Sequence, residues 1–410
     1  PRSRASDDPE TTKASIPNLT TSLIKSIVGG GVLALPAAVS ALGDNPTTVL
    51  PVAVALIAAM GVMNAFYFSL IGKVCSWTDA ATYTEAWERS VGAETSPVIG
   101  ALITLKTAFG CLTYSMILAD TFSSLADVSR NDALSAVTIM ALAPLCMMKD
   151  LGSLAPYSLA GIVGMGCTAA AMGLRSQDGS YEGAGRFLED LPMQPCFGET
   201  GPCLQGVVLA CTLATAFVSH YNAPRFHAEL DNTVGDNSAF DAVTYTSFAV
   251  SAAAMAVITV AGFATFGAAS QPVILNNYSV SDPLMTACRS LTSVSMVATF
   301  PLPFFGLRDG VMDVMQVPSS NRTGIQSTLL SMGLLAAITA AAASVEDLSL
   351  VLSVGGGTIS TAVASVFPTI MFQAAVAKYD ADNQYQLDTK LAGCLMWLSV
   401  AVGATGVTLA

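Results

Sequence analysis

A lysine stands four residues ahead of three consecutive glycines in Lys25-Ser26-Ile27-Val28-Gly29-Gly30-Gly31, and the whole stretch lies in an apolar run. Each glycine is less favourable in a helix than alanine by about 1 kcal/mol, so a helix crossing here is predicted to break. A second break is predicted at Ser219-His220-Tyr221-Asn222-Ala223-Pro224, because Pro224 lacks an amide hydrogen and disfavours helix at Ala223. In hydrocarbon, backbone groups without partners are tolerable only where they line a cavity or meet a ligand. Half-helix amino termini offer N–H groups and partial positive charge to a carboxylate, and the opposed ends offer carbonyls to an ammonium. Two matched breaks therefore describe a site for a zwitterion, which is what an amino acid is. The plainer reading makes the glycines close-packing positions between helices and the 219–224 segment a span end.

The elements that must hold these residues are membrane helices. Of the 410 residues, 52% are hydrophobic and 11% charged, whereas a soluble domain carries about 25% charged residues. Eleven apolar runs are candidate spans, the fourth of them short: 19–41, 48–73, 97–126, 134–148, 155–174, 205–222, 239–268, 283–306, 324–343, 348–376 and 389–409. The expected class is an all-α, polytopic, multi-pass protein of the lipid bilayer. Residues 1–18 form a polar tail that reads as cytosolic or as a processed start, and 19–410 a single transmembrane domain.

Charge sets the orientation and removes several function classes. With the amino terminus cytoplasmic, eleven Lys and Arg fall on the cytoplasmic side and only Arg130, Arg175 and Arg186 on the other. The net charge is -12 with no basic patch, so nucleic acid is no partner. The two histidines, His220 and His227, are too few for a multi-haem protein, and no GxxxxGK[ST] phosphate cradle is present. No nucleophile–base pair or metal-ligand cluster appears at helical spacing, so neither an enzyme, a cofactor nor a metal site is expected.

Five crossings leave the chain outside, so spans 6 to 10 run inverted to spans 1 to 5. Residues 19–174 and 205–376 are thus expected to be a 5+5 inverted repeat with broken helices 1 and 6, and 389–409 an eleventh helix. The connection 74–96 contains Tyr83-Thr84-Glu85-Ala86-Trp87, expected as an interfacial helix. The loop 175–204 holds Cys196 and Cys203, which read either as a disulfide staple or as two free thiols. Asn277-Tyr278-Ser279 is a glycosylation sequon on the same side.

These residues resemble the amino acid/auxin permease family, in its branch of neutral amino acid transporters. "IVGGGVLALPAAVSALG" is similar to the family's first helix, "KTAFGCLTYSMILADTFSSL" to its third, "AFVSHYNAPRFHAEL" to its sixth and following loop, "ACRSLTSVSMVATFPLPFFGLRDGV" to its eighth and "DLSLVLSVGGGTISTAVASVFPTIMF" to its tenth. The resemblance implies a leucine-transporter-like fold and secondary active transport of amino acids, with proton or sodium as the coupling ion. Carried over by residue, it sets substrate against Val28, Gly29, Gly30, Gly31, Ser219, His220 and Tyr221. Tyr114 either offers its hydroxyl to the carboxylate or packs between helices. Thr292, Ser293, Ser295 and Thr299 would turn hydroxyls toward helix 1, and Thr292, Ser295 and Thr299 share a helical face, although such hydroxyls also bond their own backbone.

One residue departs from the pattern. The sodium-coupled branch carries an Asn, associated with the cation site, where this chain has Lys25. A lysine in a low-dielectric site gives up its proton readily, so Lys25 either replaces sodium and makes transport sodium-independent and proton-coupled, or reaches back to the cytoplasmic interface. His220 is a second candidate proton carrier, or a hydrogen-bonded brace for the unwound turn. Small residues at Gly29, Gly30, Gly31 and Ser219 suit a small neutral amino acid. The competing function is a non-transporting amino acid sensor or a structural subunit of a membrane complex; a channel lacks its charged ring or filter motif.

Overall fold

The computed structural model describes residues 15–148, 155–183, 185–203, 205–230, 237–315, 317, 325–380 and 384–409. The described residues contain seventeen α-helices and no β-strand. In order these are α1 (Ile16–Ile27), α2 (Leu35–Val39), α3 (Pro46–Thr78), α4 (Tyr83–Ser90), α5 (Ser96–Ala126), α6 (Arg130–Val137), α7 (Ala143–Cys146), α8 (Ala155–Arg175), α9 (Gly206–Phe217), α10 (Ala223–Glu229), α11 (Ser238–Phe266), α12 (Pro283–Thr299), α13 (Pro301–Val314), α14 (Ile325–Ser344), α15 (Leu348–Gly355), α16 (Phe367–Tyr379) and α17 (Gln386–Leu409). Eight helical stretches are long and apolar enough to cross a membrane, and a ninth is a pair bent by 47° at the glycines after Ile27. The chain is an integral, multi-pass membrane protein. The fourth and fifth expected spans are present as helices, the fourth divided into α6, a π-helical turn over Thr138–Leu142, and α7.

Local chemistry sets the boundaries. Proline at the first helical position opens α3, α12 and α13, where its missing N–H costs nothing. The Asn45 side chain accepts from the Thr47 amide at 3.1 Å, and the Asp347 carboxylate from the Leu350 amide at 3.0 Å, each satisfying an orphan helix donor. The helices α3 and α5 end on Asp79 and Asp127, both in the left-handed region at φ 51°, which short polar side chains tolerate. Tyr83-Thr84-Glu85-Ala86-Trp87 lies within α4, whose cap Thr82 accepts from the Glu85 amide at 3.1 Å.

Packing gathers the spans into two groups, which meet where α11 lies against α8. The helix α11 lies along α3 and α1, and α9 and α10 join α3. On the other side α12 lies along α8, while α13 and α14 pack on α5. Arg130 ties this second group together, donating to Asp120 at 2.6 Å and to the Ala342 carbonyl at 2.8 Å. The bent first span lies at the seam between the groups, α1 packing on both α11 and α8 and the turn after it on α9, α11 and α5.

On the face opposite the chain's start, here the distal face, the long connection before α9 is fastened by main-chain bonds. Cys196 pairs with Phe266 and Ala268 at 3.1 and 2.8 Å, and the Cys203 amide donates to Leu42 at 3.0 Å. Cys196 and Cys203 are free thiols, the second donating to the Ala41 carbonyl at 3.1 Å. Of the two readings of this pair the structure has the free thiols and not the staple, because each cysteine is anchored to a different part of the chain. The sequon is also corrected. Asn277 is fully buried, with its amide donating to Ala269 and its carbonyl accepting from Gln271 at 2.8 and 2.7 Å, so no glycan can be attached to it in the folded chain.

Candidate functional site

The first break begins where α1 stops. Val28 leaves helical geometry at φ -82°, ψ 81°, and Gly29 is extended at φ -111°, ψ -164°. A 3-10 turn over Gly30–Ala34 and α2 then resume the crossing. None of the three glycines has positive φ, so the need for glycine is spatial. A Cβ on Gly30 would sit 2.5 Å from Met296 Cε and 2.7 Å from Ile117 Cδ1, and one on Gly29 would sit 3.0 Å from the Tyr114 hydroxyl. At Gly31 the contact would be ordinary, 3.7 Å from Ala216 Cα.

Beside this break is a cavity of about 30 Å³. Its wall is formed by Lys25, Val28, Gly29 and Gly30 of the first span, Tyr114 of α5, Gly161 and Met165 of α8, and Thr292, Ser295, Met296 and Thr299 of α12. The structure therefore brings together most of the residues singled out from sequence at the first, third and eighth spans. Lys25 reaches the cavity wall. Its Cε lies 3.7 Å from where a Cβ on Gly161 would be, and that same Cβ would collide with Ser295 Oγ. A residue without a side chain at 161 is thus what allows α1, α8 and α12 to meet around the lysine.

The hydroxyls of α12 divide by partner. Thr292 meets Thr168 of α8 at 3.2 Å, while Ser293 and Thr299 donate to the carbonyls of Arg289 and Ser295 at 2.8 Å each. Ser293 is turned away from the cavity, so the pattern of self-bonded hydroxyls holds for it and for Thr299.

The second break is built differently. Val218 and Ser219 interrupt the span after α9, and a 3-10 turn over His220–Asn222 leads into α10. His220 is fully buried, with Nε2 3.0 Å from the Asn64 carbonyl and the ring 5.6 Å from Phe68 and 6.0 Å from Phe248, centroid to centroid. A carbonyl only accepts, so Nε2 carries the hydrogen. Ser219, His220 and Tyr221 do not line the cavity beside the first break. The two breaks are joined by a side-chain bond from Asn222 Nδ2 to Ser26 Oγ at 3.2 Å, and the turn of the first also packs on α9.

Three wall residues had no sequence signal that singled them out: Gly161, Met165 and Met296. The run Gly161-Ile162-Val163-Gly164-Met165-Gly166 shows small residues every few positions, which marks close helix packing without saying that one gap admits a lysine from another span.

A multi-pass bundle of membrane helices with a small cavity beside a broken span is the architecture of this chain. The chain belongs to the family of transmembrane amino acid transporter proteins, whose sequence profile matches residues 12–409. That family consists of transporters and not of enzymes. The chain is similar to "Putative sodium-coupled neutral amino acid transporter 11" of Danio rerio, at 22% identity over 88% of this chain and 79% of the relative. It is also similar to "Amino acid transporter AVT6E" of Arabidopsis thaliana, at 25% identity over 86% of this chain and 74% of the relative. "Vacuolar amino acid transporter 2" of Saccharomyces cerevisiae is 24% identical over 72% of this chain and 61% of the relative.

Proposed function

We propose that the protein is a secondary active transporter of small neutral amino acids that works by alternating access, proton-coupled and independent of sodium. The halves 19–174 and 205–376 act as the inverted repeat, with the amino terminus in the cytoplasm. The broken first span presents the amides that open the Gly30–Ala34 turn to the substrate carboxylate, and Tyr114 adds a hydroxyl. The cavity of about 30 Å³ holds roughly two water molecules, so an amino acid is admitted only as the two helical groups part.

The observation that carries the coupling argument is the place of Lys25 among Gly161, Ser295 and Thr299, beside the first break. A sodium ion about 4 Å from an ammonium, at an effective dielectric of about 20, is repelled by about 4 kcal/mol. That lowers its occupancy by roughly a thousandfold, taking about 1.4 kcal/mol per factor of ten. The name of the Danio rerio relative says sodium-coupled; the lysine is the feature on which this chain is read otherwise.

The test is uptake of labelled alanine and serine into proteoliposomes under a pH gradient or a sodium gradient. Accumulation driven by pH alone is expected, and Lys25→Asn is expected to lose it and to respond to sodium. A variant that keeps full pH-driven uptake and gains no sodium response would sink the role given to Lys25. No uptake of any amino acid under either gradient would sink transport.

A further inference from the structure

On the distal side of the cavity the connection from α11 to α12 passes over the seam. Its 3-10 turn, Ile274–Asn277, packs on the Gly30–Ala34 turn of the first break and on α5. What holds it there is Arg289, on the same helix as Thr292, Ser295, Met296 and Thr299 and one turn nearer the distal face. Arg289 is fully buried, and its Nη2 donates to the carbonyls of Leu275 and Tyr278 at 2.5 and 2.8 Å. Its Nε and Nη1 have no hydrogen-bond partner among the described residues, and neither does the buried Oδ1 of Asn276. The carboxylate of this connection, Asp282, is committed elsewhere, to Arg175 at 2.7 and 2.9 Å and to the Tyr181 hydroxyl at 3.0 Å.

A charged group buried with two of its three nitrogens unpaired is costly, and in a membrane span it marks a functional position. The covalent form of the guanidinium limits what can satisfy it. A carboxylate binds arginine best across a fork of two parallel N–H groups. The side-on fork pairs Nε with Nη2 and the end-on fork pairs Nη1 with Nη2, so both require the nitrogen that now holds the two carbonyls. Capture of a carboxylate therefore competes with the clamp on 275 and 278.

We propose that Arg289 is a carboxylate-responsive latch, a binding station for the α-carboxylate of an amino acid passing between the distal side and the cavity. While Nη2 holds the carbonyls of Leu275 and Tyr278, the 274–278 segment covers the Gly30–Ala34 turn. When a substrate carboxylate takes a fork, the segment is released and the way to the first break opens. The carboxylate half of this proposal rests on the transport reading; the clamp does not.

The test is hydrogen–deuterium exchange of peptides spanning 271–280 in the purified full chain in nanodiscs, with binding of labelled alanine measured in parallel. The amides of Gln271 and Asn276 report, since they are bonded at 2.7 Å to Asn277 Oδ1 and at 2.8 Å to the Val273 carbonyl. Without any amino acid, Arg289→Gln is expected to speed their exchange about tenfold, with α3 and α11 unchanged. Unchanged exchange there overturns the clamp. In the native protein, saturating alanine is expected to speed exchange several-fold and alaninamide, which lacks the carboxylate, to have no effect. Arg289→Lys keeps a charge but no fork, so it is expected to remain near the native rate and to lose the alanine response. A native protein that binds alanine without releasing the segment, or that protects it further, overturns the carboxylate trigger and leaves transport standing. A native protein that binds no amino acid removes transport and the trigger together, while the Arg289→Gln comparison still decides the clamp.

Discussion

Of the two helix breaks, in the first and sixth apolar runs, one is open and the other filled. Gly29 and Gly30 leave room that Tyr114, Met296 and Lys25 share around a cavity. At the second break the room is taken by a histidine ring held between Phe68 and Phe248 and bonded to a main-chain carbonyl. A break in a membrane helix must satisfy its loose backbone somehow. The first leaves a cavity beside its loose backbone, whereas at the second the His220 ring fills the space and bonds the Asn64 carbonyl of α3.

The largest expected effect comes from closing the open break. Gly30→Val places methyl groups where Met296 Cε and Ile117 Cδ1 already stand, 2.5 and 2.7 Å from the new Cβ. Overpacking costs about 1–3 kcal/mol and displaces groups around the break, and misplacement by about 1 Å is enough to lower turnover by about a hundredfold. Gly31→Ala, with its nearest contact at 3.7 Å, is expected to transport within about twofold of the native protein. Uptake measured side by side checks the pair, and equal losses would mean that flexibility rather than space is what these glycines provide.

At the filled break the expected loss is in stability. His220→Ala removes a fully buried ring and opens a cavity, at a cost of about 2–4 kcal/mol, seen as a lower unfolding temperature of the protein in detergent. The surviving folded fraction should bind alanine with an affinity near the native value, because the ring does not reach the cavity wall. The pH profile of uptake should survive His220→Gln, which keeps a donor for Asn64. A profile that flattens in that variant would return His220 to the role of proton carrier.

Sequence made the two breaks visible and hid their difference. Glycine composition and Pro224 locate unwound segments, since helix propensity and a missing amide are local properties. Whether a histidine at a break faces a cavity or a phenylalanine depends on Asn64, Phe68 and Phe248, which belong to two other spans. For the same reason Lys25 carries two readings in sequence and one position in the fold: the space it enters exists because residue 161, on another helix, has no side chain. The place of each span was legible, because hydrocarbon thickness and capping residues such as Asn45 and Asp347 constrain each helix by itself. Several ends were not: α3 runs on to Thr78, α10 to Glu229 and α13 to Val314, beyond the apolar runs that predict them. The choice between staple and free thiols, and the fate of the sequon, were hidden because compartment and triplet rules do not say that Asn277 is buried or that Cys196 and Cys203 are anchored apart.

A smaller effect is expected at Tyr114, whose hydroxyl faces Gly29. Tyr114→Phe removes one candidate hydrogen bond to substrate and should raise KM for alanine about three- to tenfold, the equivalent of about 1 kcal/mol, with little change in turnover. A KM that does not move would assign Tyr114 to packing alone and leave recognition of the carboxylate to the backbone of the break.

The smallest effect bears on whether the two breaks move as one. Asn222 and Ser26 join the two breaks through a bond of 3.2 Å, so a double-mutant cycle with Ser26→Ala and Asn222→Ala isolates their coupling from the cost of each change. A coupling of about 0.5–1 kcal/mol in thermal unfolding is expected for one neutral hydrogen bond. The same cycle read in alanine binding distinguishes two mechanisms. Equal coupling in the bound and unbound protein means the breaks travel together as a rigid unit, with the seam opening along α5, α8 and α12. Coupling that disappears when alanine is bound means substrate enters by prising the first break off the second, and the filled break then stays behind as the fixed point of the movement.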